Sequence, residues 1–188
     1  GPDGAADHLQ PGSIVIDCST ISPKGAQQAA AQLQQNGVNY LDAPVTGGTE
    51  GARAGTLTVL VGGDAAALET VRPLLEVIGG SIHHIGPVGR GQQAKAVNQV
   101  LVAGSYAAVA EAIALGQRLK LPMQPVIDAL KSGAAGSWAL KHRSGAMLQG
   151  NYPLGFKLSL HHKDLAIALE SASSVDLDMP VTALVKKL

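Results

Sequence analysis

The sequence predicts an α/β part followed by an all-helical part built on one long helix. Three observations predict it. Apolar runs of strand length alternate with helical tracts as far as Gly86-Pro87. No strand signal follows Gly89. From Gly89 to Gly116 the chain is rich in Ala, Val and Leu and meets no proline until Pro122, which reads as a single helix. The expected division is therefore residues 1–88 and residues 89–188.

Gly1-Pro2-Asp3-Gly4 is turn material, Ala5 to Gln10 reads as a short polar helix, and Pro11-Gly12 turns again. Ser13 to Asp17 is a strand. Ser22 before Pro23 combines an N-cap with a proline at the first helical position, opening a helix that runs to about Asn36 and stops at Gly37. Val38 to Leu41 is a second strand, and the strand–helix–strand rhythm predicts a parallel sheet. Gly51 to Gly55 extends a loop, Thr56 to Val61 is a strand, and Asp64 caps a helix over Ala65 to Ile78 that Pro73 is expected to kink or interrupt. Ser81 to Ile85 is a last strand. Beyond the long helix, Pro122 breaks the chain and helices are expected over Met123 to Lys131, Trp138 to Leu148 and Leu158 to Ser171. A loop carries Pro153, and a final helix opens at Pro180.

Composition narrows the function classes. The chain of 188 residues is 46% hydrophobic but only 15% charged, which calls for a large buried fraction or a large interface. Fourteen basic residues balance fourteen acidic ones and no basic block occurs, so no nucleic-acid partner is expected. The single cysteine, Cys18, excludes an internal disulfide and fits a reducing, cytoplasmic compartment. No zinc motif is present. His83-His84 and His161-His162 are adjacent pairs whose side chains diverge, which makes them poor metal sites. The apolar run Val100 to Gly116, interrupted by Ser105, Tyr106 and Glu111, reads as too short to span a membrane.

Two stretches carry candidate chemistry. Lys95 and Asn98 stand three apart near the start of the long helix, so they share a face. A helix apolar nearly all round is expected to be buried, and a lysine there must find partners or yield its charge. The residues alone favour a lysine whose ammonium snorkels to water at the helix end. Thr46-Gly47-Gly48-Thr49 offers successive backbone N–H groups and two hydroxyls, a composition suited to a carboxylate or phosphate, although it also reads as an ordinary Gly-rich connection. Both loops, this one and Asp17-Cys18-Ser19-Thr20, fall at carboxyl ends of strands, where ligands of such sheets sit.

Four segments in this order resemble the β-hydroxyacid dehydrogenase family, which includes 3-hydroxyisobutyrate dehydrogenase, tartronate semialdehyde reductase and succinic semialdehyde and glyoxylate reductases. They are Asp17 to Pro23; Asp42 to Gly48 with Gly51 and Gly55-Thr56-Leu57; Gly89-Arg90-Gly91 through Lys95 and Asn98; and Lys163-Asp164-Leu165. The resemblance implies an NAD(P)-dependent oxidoreductase interconverting a small β-hydroxyacid and its semialdehyde or keto acid. It implies Lys95 as general acid and base, with Thr46, Gly47, Gly48, Asn98 and Gln99 holding a small carboxylate-bearing substrate. It further implies Ser19, Thr20 and Lys163 on the side of the cofactor, NAD or NADP, and a homodimer or homotetramer formed through the helical part. The family has serine where Thr46 stands, and the extra methyl narrows the pocket. Phe156 reads as a core residue rather than a pocket wall. The resemblance implies a Rossmann half that begins with a strand, a GxGxxG turn and an acidic or basic residue reading the adenosine ribose, and none of these is read in the chain. The expectation is therefore a fragment holding only the C-terminal part of a Rossmann-type domain, without the main cofactor-binding motif, binding NAD(P)(H) weakly and turning over negligibly. Three further readings stay open: a silent relative serving as an oligomerisation module, an imine reductase of the same fold, and a small-ligand binding domain using the glycine turn alone.

Overall fold

A computed structural model describes residues 4–152 and 155–188. The expected turn at Gly1-Pro2-Asp3 and the loop position of Pro153 lie outside the described residues. A single 3-10 turn, Ala5–Asp7, replaces the expected short helix. Strand β1 (Ile14–Asp17) leads to helix α1 (Pro23–Gln34), where the Ser22 hydroxyl accepts from Gly25 N at 3.0 Å as its sequence position requires. Strand β2 (Asn39–Asp42) pairs parallel to β1, setting Val15 beside Tyr40 and Asp17 beside Asp42.

The sheet is mixed, not parallel throughout. Strand β3 (Val45–Thr46) and helix α2 (Gly48–Ala54) occupy what reads in sequence as one long loop, and β4 (Leu57–Gly62) returns antiparallel to both β2 and β3. Strand β5 (Gly79–Gly86) then adds parallel to β4 after helix α3 (Ala65–Ile78). Two features explain the reversal. Pro44 has no N–H and separates β2 from β3. Gly55, at φ +64°, closes α2 and turns the chain back. Pro73 lies inside α3 without ending it.

Neighbouring residues on β2 face opposite sides of the sheet. Tyr40 packs with Ala26 and Leu33 of α1, while Leu41 packs with Val59, Val61 and Leu68, Val71 and Leu75 of α3. Helices thus cover both faces, and the α/β part is a two-sided core of five strands.

Helix α4 (Arg90–Arg118) begins at the sheet and leaves it as the spine of the helical part, against which α5 (Met123–Leu130), α6 (Trp138–Gln149), α7 (Leu158–Ser173) and α8 (Pro180–Lys187) pack. Its 29 residues include an 18-residue window of mean hydropathy 1.4, so it is long and apolar enough to cross a membrane, contrary to the expectation from the shorter apolar run. Its N-terminal end nevertheless rests on β4 and β5, and it packs along α6 and α7. Nor is it buried all round: Val97 (63% exposed), Leu101 (69%), Leu115 and Leu119 face outward.

Candidate active site

The carboxyl ends of the parallel pair β1 and β2 meet the start of α4, and Asp42 joins them. Its buried carboxylate accepts from Gly89 N at 2.7 Å and from Gln92 N at 2.8 Å, satisfying two of the donors that a helix start leaves unpaired. Burial pushes the Asp42 carboxyl above its ordinary range, and these two N–H groups oppose that rise. The contact is close because no side chain intervenes. A Cβ on Gly91 would stand 2.3 Å from Leu60 O and 2.8 Å from Asp42 O. Gln92, also buried, reaches across to the other strand end: its amide nitrogen donates to Ser19 O at 2.8 Å and its amide oxygen accepts from Ile21 N at 3.1 Å. Asp17 is held in turn by the Tyr40 hydroxyl at 2.7 Å and by Ser19 N at 2.9 Å.

One turn beyond Gln92, Lys95 is only 8% exposed, so the side chain as a whole is buried and does not lie out along the helix surface. Burial pushes the amine below its ordinary value of 10.5; Asp164 opposes the shift and Lys163 adds to it. Asp164, on α7, is 3% exposed and accepts from the Gln99 side-chain amide at 2.7 Å. The Asn98 amide donates to Gln99 Oε1 at 2.7 Å, completing a chain from Asn98 through Gln99 to Asp164. The second oxygen of Asp164 lies 3.2 Å from Lys163 Nζ as an ion pair and accepts no hydrogen bond from the described residues. Lys163 Nζ also donates to Thr20 O, tying α7 to the end of β1.

Thr46 ends β3, and Gly47 (φ +130°) and Gly48 (φ +67°) form the turn that opens α2. Both glycines are exposed. A cleft of about 400 Å³ opens beside Gly47, walled by Glu50, Gly51, Ala54 and Thr56 on one side and by Trp138, His142 and Arg143 of α6 on the other. The structure therefore gathers Lys95, Asn98, Gln99 and Lys163 around Asp164, and ties Ser19 and Thr20 to them through Gln92 and Lys163. Lys95 is not among the residues walling the cleft at Gly47. Phe156 is half-exposed, tilted against His161 at 5.3 Å between ring centres, and so is not the core residue expected.

Asp42, Gln92 and Arg143 carry structural weight here that residue type alone did not announce. For Asp42 a signal existed: an acidic residue at a strand end beside a Gly-rich helix start.

Residues 89–188 match the family described as NAD-binding of NADP-dependent 3-hydroxyisobutyrate dehydrogenase, and residues 1–86 match the NAD binding domain of 6-phosphogluconate dehydrogenase. The second match corrects three linked expectations: that the main cofactor-binding motif is absent, that only a C-terminal remnant of a Rossmann-type domain is present, and that the chain is recognised as lacking that domain's N-terminal part. Those expectations rested on reading the first strand, the GxGxxG turn and the ribose-reading acidic or basic residue of such a domain as missing from the chain. The match is carried instead by the whole tract that forms the five strands, α1, α2 and α3, and with it the ground for expecting weak cofactor binding goes.

The chain is 41% identical to the NAD-dependent L-serine dehydrogenase of Pseudomonas aeruginosa, over 99% of this chain and 65% of that one. It is 40% identical to the 2-hydroxy-3-oxopropionate reductase of Escherichia coli, over 100% and 64%. The structure of 3-hydroxyisobutyrate dehydrogenase from Salmonella typhimurium superimposes with a TM-score of 0.90 at 32% identity, covering 100% of this chain and 66% of that one. The chain spans 60% to 65% of the length of the curated relatives it matches.

Proposed function

We propose, since the chain belongs to the NADP-dependent 3-hydroxyisobutyrate dehydrogenase family, that it serves an NAD(P)-dependent oxidoreductase interconverting a small hydroxyacid and its semialdehyde or keto acid. The observation that carries this reading is Lys95: a buried amine, lowered by its burial, one turn into the helix that starts at the strand ends. A lysine so placed holds its proton less tightly than one in water and releases it more readily to an oxygen that is gaining charge.

Residues 1–88 would hold the nucleotide, and residues 89–188 would seat the substrate and form the contacts of a homodimer or homotetramer. The fit to a nicotinamide cofactor is supported at the end of β1. Exposed Ser19 and half-buried Thr20 lie there on a backbone pinned by Gln92 and Lys163. The nicotinamide, when bound, supplies the hydride. In the reducing direction Lys95 Nζ gives its proton to the carbonyl oxygen; in the oxidising direction the neutral amine takes the hydroxyl proton. The N–H groups at Thr46, Gly47 and Gly48 would bind the substrate carboxylate. Asn98 and Gln99 would orient it, with Gln99 fixed by Asp164.

The test is turnover of tartronate semialdehyde, succinic semialdehyde and 3-hydroxyisobutyrate with both cofactors, for the wild type and Lys95→Ala. The variant is expected to lose about 10²–10⁴-fold in kcat on whichever substrate the wild type accepts, with its fold retained. Wild-type rates in Lys95→Ala would refute the reading.

A further inference from the structure

Gln92 is a fully buried polar side chain that the proton transfer does not use. Both ends of its carboxamide engage one loop. The nitrogen donates to Ser19 O at 2.8 Å and the oxygen accepts from Ile21 N at 3.1 Å. A carboxamide carries the donor and the acceptor of a peptide group, so it satisfies this stretch of backbone much as a neighbouring strand would. The backbone N–H of Gln92 donates to Asp42 at 2.8 Å, which fixes the residue to the sheet as well.

The carbonyl between the two loop contacts, Thr20 O, accepts from Lys163 Nζ of α7. On α4, Gln92, Lys95 and Gln99 are three and four residues apart and all buried, so they share one face. Gln99 donates to Asp164, the residue after Lys163. These contacts close a circuit. Residues 19–21 meet α4 through Gln92, α4 meets α7 through Gln99, and α7 returns to the loop through Lys163. Lys95 stands between Gln92 and Gln99 on the α4 side of that circuit.

We propose that Gln92 is a positioning residue that holds the nucleotide loop and the amine of Lys95 at one fixed spacing. The proposal rests on the reading of Lys95 as the proton donor. Reduction needs two deliveries to one carbonyl, hydride to its carbon and a proton to its oxygen. The loop at the end of β1 serves the first and α4 the second. Among the described residues, Gln92 is the α4 side chain that hydrogen-bonds residues 19–21. It acts through the loop and Lys95, not on the substrate.

The experiment has two readouts on the full chain: titration with NADH and with NADPH, followed by nucleotide fluorescence, and steady-state turnover of the hydroxyacid. Wild type, Gln92→Met, Lys95→Ala and the double variant are compared. Gln92→Met keeps the length of the side chain and removes both loop contacts. It is expected to weaken the nucleotide about 10-fold and to lower kcat about 10- to 100-fold, because small misplacements of reacting groups are costly. The hydroxyacid KM should stay within about twofold, since Thr46-Gly47-Gly48 lies on other elements. In Lys95→Ala, adding Gln92→Met should cost at most about threefold more in kcat, because a residue acting through another loses its effect when that other is gone. Should Gln92→Met not fold, Gln92→Glu keeps the shape and the acceptor for Ile21 N but offers no donor to Ser19 O, and the same pattern is expected. A folded Gln92 variant that keeps either wild-type nucleotide affinity or wild-type kcat would overturn the proposal and leave Lys95 standing as donor. Losses that multiply in full in the double variant would do the same. Failure of the Lys95 reading itself looks different: Lys95→Ala then turns over at the wild-type rate, or the wild type turns over nothing, and the proposal falls with it.

Discussion

Lys95 sits between two neighbouring residues of α7 that pull its amine in opposite directions. The negative charge of Asp164 favours the ammonium, the positive charge of Lys163 disfavours it, and burial disfavours it more strongly than either acts. The sign follows directly. Proton donation needs the ammonium, so the reductive rate falls as pH rises through the lowered value. Replacing Asp164 by Asn removes the stabilising charge, lowers the amine further and moves that fall to more acidic pH. The pH profile of kcat/KM for Asp164→Asn checks it, and a fall shifted toward alkaline pH would count against the assignment. Lys95 was legible in sequence because it is the one cation between Ala94 and Ala114 of an apolar helix. Its burial was not, since snorkelling and burial share one pattern. Asp164 and Gln92 were harder to read, because their partners Gln99, Ser19 and Ile21 stand 65 to 73 positions away.

Among the elements, α4 is held to the sheet by a joint with no spare room. Asp42 accepts from two buried N–H groups of the helix start, and Gly91 lies against the backbone of β4. Asp42→Ala orphans both donors and is expected to destabilise the chain by about 3 kcal/mol in urea unfolding. Gly91→Ala forces its methyl against the carbonyls of Leu60 and Asp42 and should cost about 3 kcal/mol. Gly104, on the same helix with nothing within 4 Å of a Cβ, is the control: Gly104→Ala should be neutral or stabilise by up to about 1 kcal/mol. Helix boundaries were readable wherever a side chain makes the cap. Ser22 and Asp64 each accept from the backbone N–H three residues on, at 3.0 and 2.8 Å. Strand β3 and helix α2 were not readable, because two residues carry no periodicity and a glycine-rich helix looks like a loop. The direction of β4 depends on that missed pair, so the parallel sheet was misread with it.

For the whole molecule, α4 leaves Val97, Leu101, Leu115 and Leu119 exposed on an apolar side. A groove of about 720 Å³ runs along it, lined by Leu101, Ala108, Ala112, Leu130, Val181 and Val185 among others. Water against such a surface is unfavourable, and association of copies through the helical part would remove it. Leu101→Glu is expected to lower the sedimentation coefficient of the assembled chain toward the monomer; an unchanged coefficient would locate the contact elsewhere. At this scale the Rossmann-type character of residues 1–88 was legible, and the misreading was to take its N-terminal part and main cofactor-binding motif as missing, whereas the match runs over residues 1–86.

The central claim is that the amine of Lys95 donates the proton and that its environment sets when it can. The pH dependence of reductive kcat/KM, measured for the wild type and Lys163→Gln side by side, tests it most directly. The account predicts a wild-type alkaline fall centred below 10.5, moved to higher pH in Lys163→Gln because one cation beside Lys95 is gone. Coincident profiles, or a wild-type fall at or above 10.5, would contradict it.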